Sequence, residues 1–168
     1  MTSVQRSGSP LRIGLLHQYR LDTSGSGIYL RHLAGHLLSR GHAVSLMSHE
    51  PTKIVLSASF GSATQSARQA SCRSHTLRGA GTPVAYPRAE EPDSLLFRDL
   101  PDADLARYLS YHVDRVSQIV EREKLDVLHA NSEVPMSYVA AMVSRRTGVP
   151  YVTVAHGSTL EYMFWVSA

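Results

Sequence analysis

Three of the nine histidines in this 168-residue sequence stand where strand-like runs end. His17 closes LRIGLLHQ, His129 lies in DVLHAN and His156 in VTVAHG. An imidazole so placed can share a proton or orient a hydroxyl near neutral pH. Between the first of them and the next helical segment comes Ser24-Gly25-Ser26-Gly27. Glycines there let backbone N–H groups approach a ligand closely, and the helix N-terminus that follows favours an anion such as phosphate. If the three runs are parallel strands of one open sheet, histidines and glycine loop collect on the edge where such sheets bind ligands.

Each part also has a plainer explanation. Gly25 and Gly27 suit a tight turn, and His129 and His156 suit satisfied polar positions at strand ends. Zinc has little support, because no H-E-x-x-H or paired cysteine accompanies the histidines. His32 and His36 are four residues apart on the first helix but flank its apolar stripe, as surface and boundary residues do. Gly25-Ser26-Gly27-Ile28-Tyr29-Leu30 begins like the dinucleotide fingerprint G-x-G-x-x-G, with Leu30 in place of the third glycine. Glu50, ending the second strand-like run, stands where a ribose-binding acid would be, so a dinucleotide-dependent oxidoreductase domain stays among the alternatives.

The elements that must position these residues read as alternating strands and helices. Residues 11–18 form a nearly continuous apolar run, as in a strand buried on both faces of a parallel sheet. A loop over residues 19–26 leads into a helix whose stripe is Leu30, Leu33, Ala34, Leu37 and Leu38, stopped by Gly41. Residues 43–48 (AVSLMS) are a second strand, completing a right-handed βαβ unit. Residues 51–100 are mostly long connections, with short strands near 74–77 and 84–86. Helical spacing returns over 104–123, where Leu105, Tyr108, Leu109, His112, Val113, Val116, Ile119 and Val120 share a stripe. A strand at 126–130, a helix at 135–146 closed by Gly148 and Pro150, and a strand at 151–155 follow. Ser158-Thr159-Leu160-Glu161 is an S-x-x-E capping box, so another helix starts there.

Composition bounds the class. With 43% apolar and 18% charged residues, the sequence is that of a globular domain, and no run approaches the length of a membrane span. Residues 1–10 read as a disordered tail and not a secretory signal, leaving 11–168 as one domain. The lone Cys72 rules out an internal disulfide and suits a reducing cytoplasm. The net charge of +3 is uneven: residues 1–82 hold nine Lys/Arg against two acids, residues 83–168 eight against twelve. A basic first half suits phosphate-bearing ligands or an anionic membrane surface, with a merely solvated face as the alternative. No dense basic run with interleaved aromatics points to nucleic acid.

Two blocks together carry a resemblance. LRIGLLHQYRLDTSGSGIYLRHLAGHLLSRGHAVSLMSHE and LDVLHANSEVPMSYVAAMVSRRTGVPYVTVAHGSTLEY resemble, in order and spacing, the N-terminal (acceptor-side) domain of family 4 glycosyltransferases of the GT-B fold. The resemblance implies an α/β fold, a Rossmann-like parallel sheet of about five strands with helices on both faces, forming one half of a two-domain enzyme. It implies transfer of a sugar from a nucleotide-sugar donor to a sugar or lipid-linked acceptor with retention, with no cofactor and no metal. By the same resemblance, Gly25, Ser26 and Gly27 approach the donor phosphates and shape the acceptor loop. His156 becomes the catalytic or sugar-positioning residue, and His17, His129, Asn131, Gly157 and Ser158 line the acceptor pocket. Glu161 matches the acidic position after H-G-S, which its capping role explains equally well. The C-terminal donor-binding domain of the family is absent, so the chain is expected to be inactive alone and to associate through its apolar end at 162–166. Its expected place is the cytoplasm, with a peripheral contact at the inner membrane face. The rival class is a degenerate module that keeps the pocket without catalysis.

Overall fold

The computed structural model describes residues 9–21, 24–49, 72–79, 85–86 and 95–157 of the chain. The expectations for residues 1–8 of the tail, Glu50, Ser158, Glu161, the capping-box helix and the apolar end fall outside them.

The most apolar strand is the central one. β1 (Arg12–Leu16) pairs in parallel with β2 (Ala43–Ser48) on one side and β6 (Val127–Ala130) on the other. β3 (Cys72–Thr76) extends the sheet beyond β2, and β7 (Tyr151–Thr153) beyond β6, giving the all-parallel order β3-β2-β1-β6-β7. The order reverses between β1 and β6, because the chain runs outward through β2 and β3 before returning to β6. A separate pair, β4 (Ala85–Tyr86) with β5 (Leu95–Leu96), stands apart from this sheet.

Alternation along the strands divides the core in two. Ile13, Leu15, Val44 and Leu46 face α1 (Gly25–Ser39), whose Leu30, Ala34 and Leu38 cover them. Leu16, Met47, Leu128 and Ala130 face the other way, under α2 (Asp102–Glu123) and α3 (Tyr138–Thr147). Helices therefore cover both faces, and each fully buried leucine contributes roughly 2–3 kcal/mol. Gly14 is glycine for room: a Cβ there would sit within 2.8 Å of side-chain carbons of Leu125, Leu128 and Met47.

Several boundaries move. α1 begins at Gly25, not after a loop through Ser26, because the Ser24 hydroxyl accepts from the Gly27 N–H at 3.0 Å and caps the first turn. Gly41 (φ 87°) and Gly148 (φ 76°) lie just beyond α1 and α3 as expected, in the left-handed conformation that favours glycine. α3 starts at Tyr138, after a wide turn over Glu133–Ser137 that contains Pro135. β5 was not foreseen, since two residues carry no periodicity.

The uneven charge has a structural use. Arg73 of the basic half meets the buried carboxylate of Glu123 at 2.8 Å. Arg12 donates its guanidinium to the Glu123 carbonyl at 3.0 Å and its backbone N–H to Asp126 at 2.7 Å. Basic and acidic halves thus pair where the central strands begin, the opposite edge from the histidines.

Candidate functional site

The C-terminal ends of β1 and β6 flank the reversal in strand order, and there Asn131 is the hub. It is fully buried, and its backbone N–H extends the ladder to the Leu16 carbonyl at 2.8 Å. Its side-chain amide donates to the Ser26 carbonyl of α1 at 3.0 Å and to His17 Nδ1 at 3.3 Å, and its Oδ1 accepts from His156 Nε2 at 2.9 Å. A carbonyl can only accept, so the Ser26 contact fixes which amide atom is nitrogen. The tautomers follow. His17 presents a lone pair at Nδ1 and carries its proton on Nε2; His156 donates through Nε2.

Burial first, and also the charge of His156, push the pKa of His17 down to about 4, against a hydrogen bond to the Asn131 backbone that raises it. His17 is therefore neutral at pH 7, as its acceptor role requires. His129 lies two residues before Asn131 on the same face of β6, half-buried; its pKa is lowered, by burial first and also by the charge of His156. The Tyr29 ring stands edge-on to His156 with centroids 5.6 Å apart.

Hydrogen bonds thus join His17, Asn131, His156 and the first turn of α1 at one edge of the sheet, with His129 two residues before Asn131, and Gly157 sits exposed beside His156. The two glycines differ. A Cβ on Gly25 would meet nothing within 4 Å, whereas one on Gly27 would lie 2.8 Å from the Arg20 carbonyl and the Leu21 Cα. Gly27 is glycine so that α1 can seat against the chain leaving β1. Gly27→Ala is accordingly expected to destabilise by about 1–3 kcal/mol despite alanine's better helix propensity, while Gly25→Ala changes little; urea unfolding of both variants checks this.

Two neighbours escaped sequence reasoning. Tyr29 was hidden on the outer face of an amphipathic helix. His49, at the end of β2, bonds through Nε2 to His112 Nε2 at 2.9 Å, and His112 Nδ1 donates to the Tyr108 carbonyl at 2.7 Å. Nothing in the spacing of residues 49 and 112 could announce that pair. His32 and His36 are exposed, as expected. Among the described residues no group of three His, Cys, Asp or Glu side chains could hold a metal ion. The dinucleotide fingerprint is not reproduced: β1 ends at Leu16, well before the first glycine, and Leu30 is fully buried in the core. No helix among the described residues is long and apolar enough to cross a membrane.

A doubly wound parallel sheet with helices on both faces defines a Rossmann-like domain. The family model described as glycosyl transferase 4-like domain matches residues 24–168, and the chain belongs to that family. A search of curated protein sequences returned no match. Among solved structures, the chain is similar to a sucrose-phosphate synthase from Thermosynechococcus elongatus, with 15% identity and a TM-score of 0.60, over 91% of this chain and 35% of that one. A glycosyltransferase from Rickettsia africae ESF-5 matches at 11% identity and a TM-score of 0.51, over 87% of this chain and 30% of that one. At such identities the likeness is one of fold: this chain resembles the N-terminal part of GT-B enzymes and spans about a third of each relative.

Proposed function

We propose that this chain is the acceptor-side half of a two-domain glycosyltransferase, transferring a sugar from a nucleotide-sugar to a hydroxylated acceptor with retention. The observation that carries this reading is the Asn131 hub, which ties the first turn of α1 to two imidazoles at the edge where a parallel sheet takes its ligands. Sugar transfer builds negative charge on the departing diphosphate. The α1 N-terminus, with open space at Gly25, suits that charge, because first-turn N–H groups lack intrahelical acceptors. His156, held through Nε2, keeps Nδ1 free of Asn131 to orient or accept a hydroxyl proton. Tyr29 offers an aromatic edge beside it. His17 and His129 belong to the acceptor side of the same cleft, with Gly157, Ser158 and Glu161 proposed as its continuation. The groups that hold the nucleotide belong to a second domain, so this chain alone transfers no sugar; its work lies at the cytoplasmic side, with a peripheral membrane contact when the acceptor is lipid-linked.

The test is His156→Ala in the two-domain enzyme. Turnover of the nucleotide-sugar is expected to fall by well over tenfold, as loss of a positioned catalytic group does. An unchanged rate removes His156 from the chemistry, and a product of inverted anomeric configuration by NMR removes retention.

A further inference from the structure

At the opposite edge of the sheet, where the strands begin, lies a cavity of about 190 Å³ whose walls include Arg12, Ala43, Ser45, Arg73, Glu123 and Leu125. Strand register explains this gathering. Arg12 pairs with Ala43, Ser45 pairs with Arg73, and Ala43 and Ser45 stand two apart on β2. All four therefore lie on one face of three neighbouring strands, the face that α2 covers. Glu123 ends α2 and Leu125 follows it, closing the cavity from that side.

The polar groups of this cavity are mostly donors. The Glu123 side chain, 7% exposed, is already engaged: it meets Arg73 Nη1 at 2.8 Å, Arg122 Nε at 3.0 Å and His75 Nε2 at 3.8 Å. Arg12 Nη1 donates to the Glu123 carbonyl at 3.0 Å. A guanidinium bears five N–H donors, and among the described residues Arg12 and Arg73 each engage one guanidinium nitrogen, on Glu123. Arg73 is 64% exposed, so its fork is open to solvent. Three guanidinium groups here face the carboxylates of Glu123 and Asp126, the latter accepting the Arg12 backbone N–H at 2.7 Å, and positive charge is in excess. The two lining arginines come from different strands, β1 and β3, and converge on one residue. A tetrahedral phosphate takes donors from two such directions, whereas a carboxylate offers its oxygens in one plane.

We propose that this cavity is a binding site for a phosphate group, held between the guanidinium groups of Arg12 and Arg73 at the edge of the sheet away from the Asn131 hub. Glu123 is its positioning residue: with its own charge met by Arg73 and Arg122, it holds both forks in one place before the anion arrives, which lowers the ordering cost of binding. The phosphate is carried by a soluble molecule or by a lipid headgroup, and the chemistry at the cavity is the same for both. The site does not depend on the transferase reading, and its failure would leave that reading untouched.

The experiment follows the arginine Nε–H resonances of the isotopically labelled 168-residue chain as inorganic phosphate is added at constant pH and ionic strength. Saturable shifts of Arg12 and Arg73 are expected, with Arg40, exposed just after α1, unmoved. Arg12→Gln and Arg73→Gln are each expected to weaken phosphate about tenfold or more, and Arg40→Gln to leave it unchanged. Arg73→Lys keeps the charge but loses the fork, so it should weaken phosphate too. Pelleting with phosphatidylcholine vesicles containing phosphatidylglycerol separates the two sources. Pelleting that Arg73→Gln abolishes assigns the phosphate to a headgroup; saturable phosphate shifts without pelleting assign it to a soluble ligand. Shifts that fail to saturate, or that Arg40 shares, mark diffuse attraction to positive charge and overturn the proposal. So does acetate matching phosphate at Arg12 and Arg73, and so does silence of both arginines toward phosphate and vesicles alike. The shifts are read on the parent chain, so the answer stands even where a variant fails to fold.

Discussion

Asn131→Ala is expected to cost about 2–4 kcal/mol of folding stability, the largest effect of any single substitution at this edge. The substitution strands His17 Nδ1 and the His156 Nε2 proton and removes a second donor from the Ser26 carbonyl, which keeps its helical bond; each buried group left without a partner costs roughly 1–3 kcal/mol. Partial solvation of His156, which is only half-buried, keeps the sum below its upper bound. Urea unfolding should show a lower midpoint with an unchanged slope. Asn131→Asp separates bonding from bulk: it keeps the volume but sets a carboxylate against the Ser26 carbonyl and beside His17. A neighbouring anion favours the imidazolium, so the His17 pKa should climb from about 4. Stability of Asn131→Ala within about 0.5 kcal/mol of the parent would remove the hub from this account.

The second large effect is acid sensitivity. Burial first, with its backbone bond to Tyr108 opposing, brings the His112 pKa down to about 4; burial, then the charges of His112, Arg78 and His17, hold His49 well below 6.5. His17, also at about 4, and His112 are therefore neutral in the folded state and protonated in the unfolded chain between about pH 6.5 and 4, and His49 is shifted in the same direction. The unfolded state then binds more protons, so stability is full above pH 6.5 and falls as the pH drops toward the folded values. Each group loses about 1.4 kcal/mol per pH unit inside that window. From pH 7 to pH 5 His17 and His112 together should cost about 3–4 kcal/mol, and His49, which titrates as a pair with His112, adds to that loss. His112 Nε2 is the acceptor for His49 Nε2–H, and a second proton destroys that bond. His112→Gln should therefore show a shallower dependence. Equal stability at pH 7 and pH 5, or imidazole titrations centred near 6.5, would contradict the assignment.

Much of this protein was readable from local pattern. The apolar run ending at His17, the leucine stripe of α1, the stripe of α2 and the stops at Gly41 and Gly148 all appear at their places, because periodicity and φ demand are properties of a few neighbouring residues. The placing of His17 and His129 at the ends of β1 and β6 was legible for the same reason, whereas β7 stops at Thr153, short of the expected 151–155, and leaves His156 three residues beyond it. The start of α1 was misread because a serine cap outweighs the loop propensity of Gly25-Ser26-Gly27. Gly27 looked like a ligand glycine, and its crowding against Arg20 and Leu21 appears only once α1 is seated.

What the sequence by itself determined was the alternation of strands and helices, and hence which residues reach one edge of a parallel sheet. Tertiary structure alone decided how they act there. The strand order put β6 beside β1, so Asn131 could bridge Ser26, His17 and His156, and alternation carried His49 to the opposite face to meet His112. These contacts join residues 25 to 114 positions apart, and hydrogen bonds between such distant side chains leave no period in a sequence.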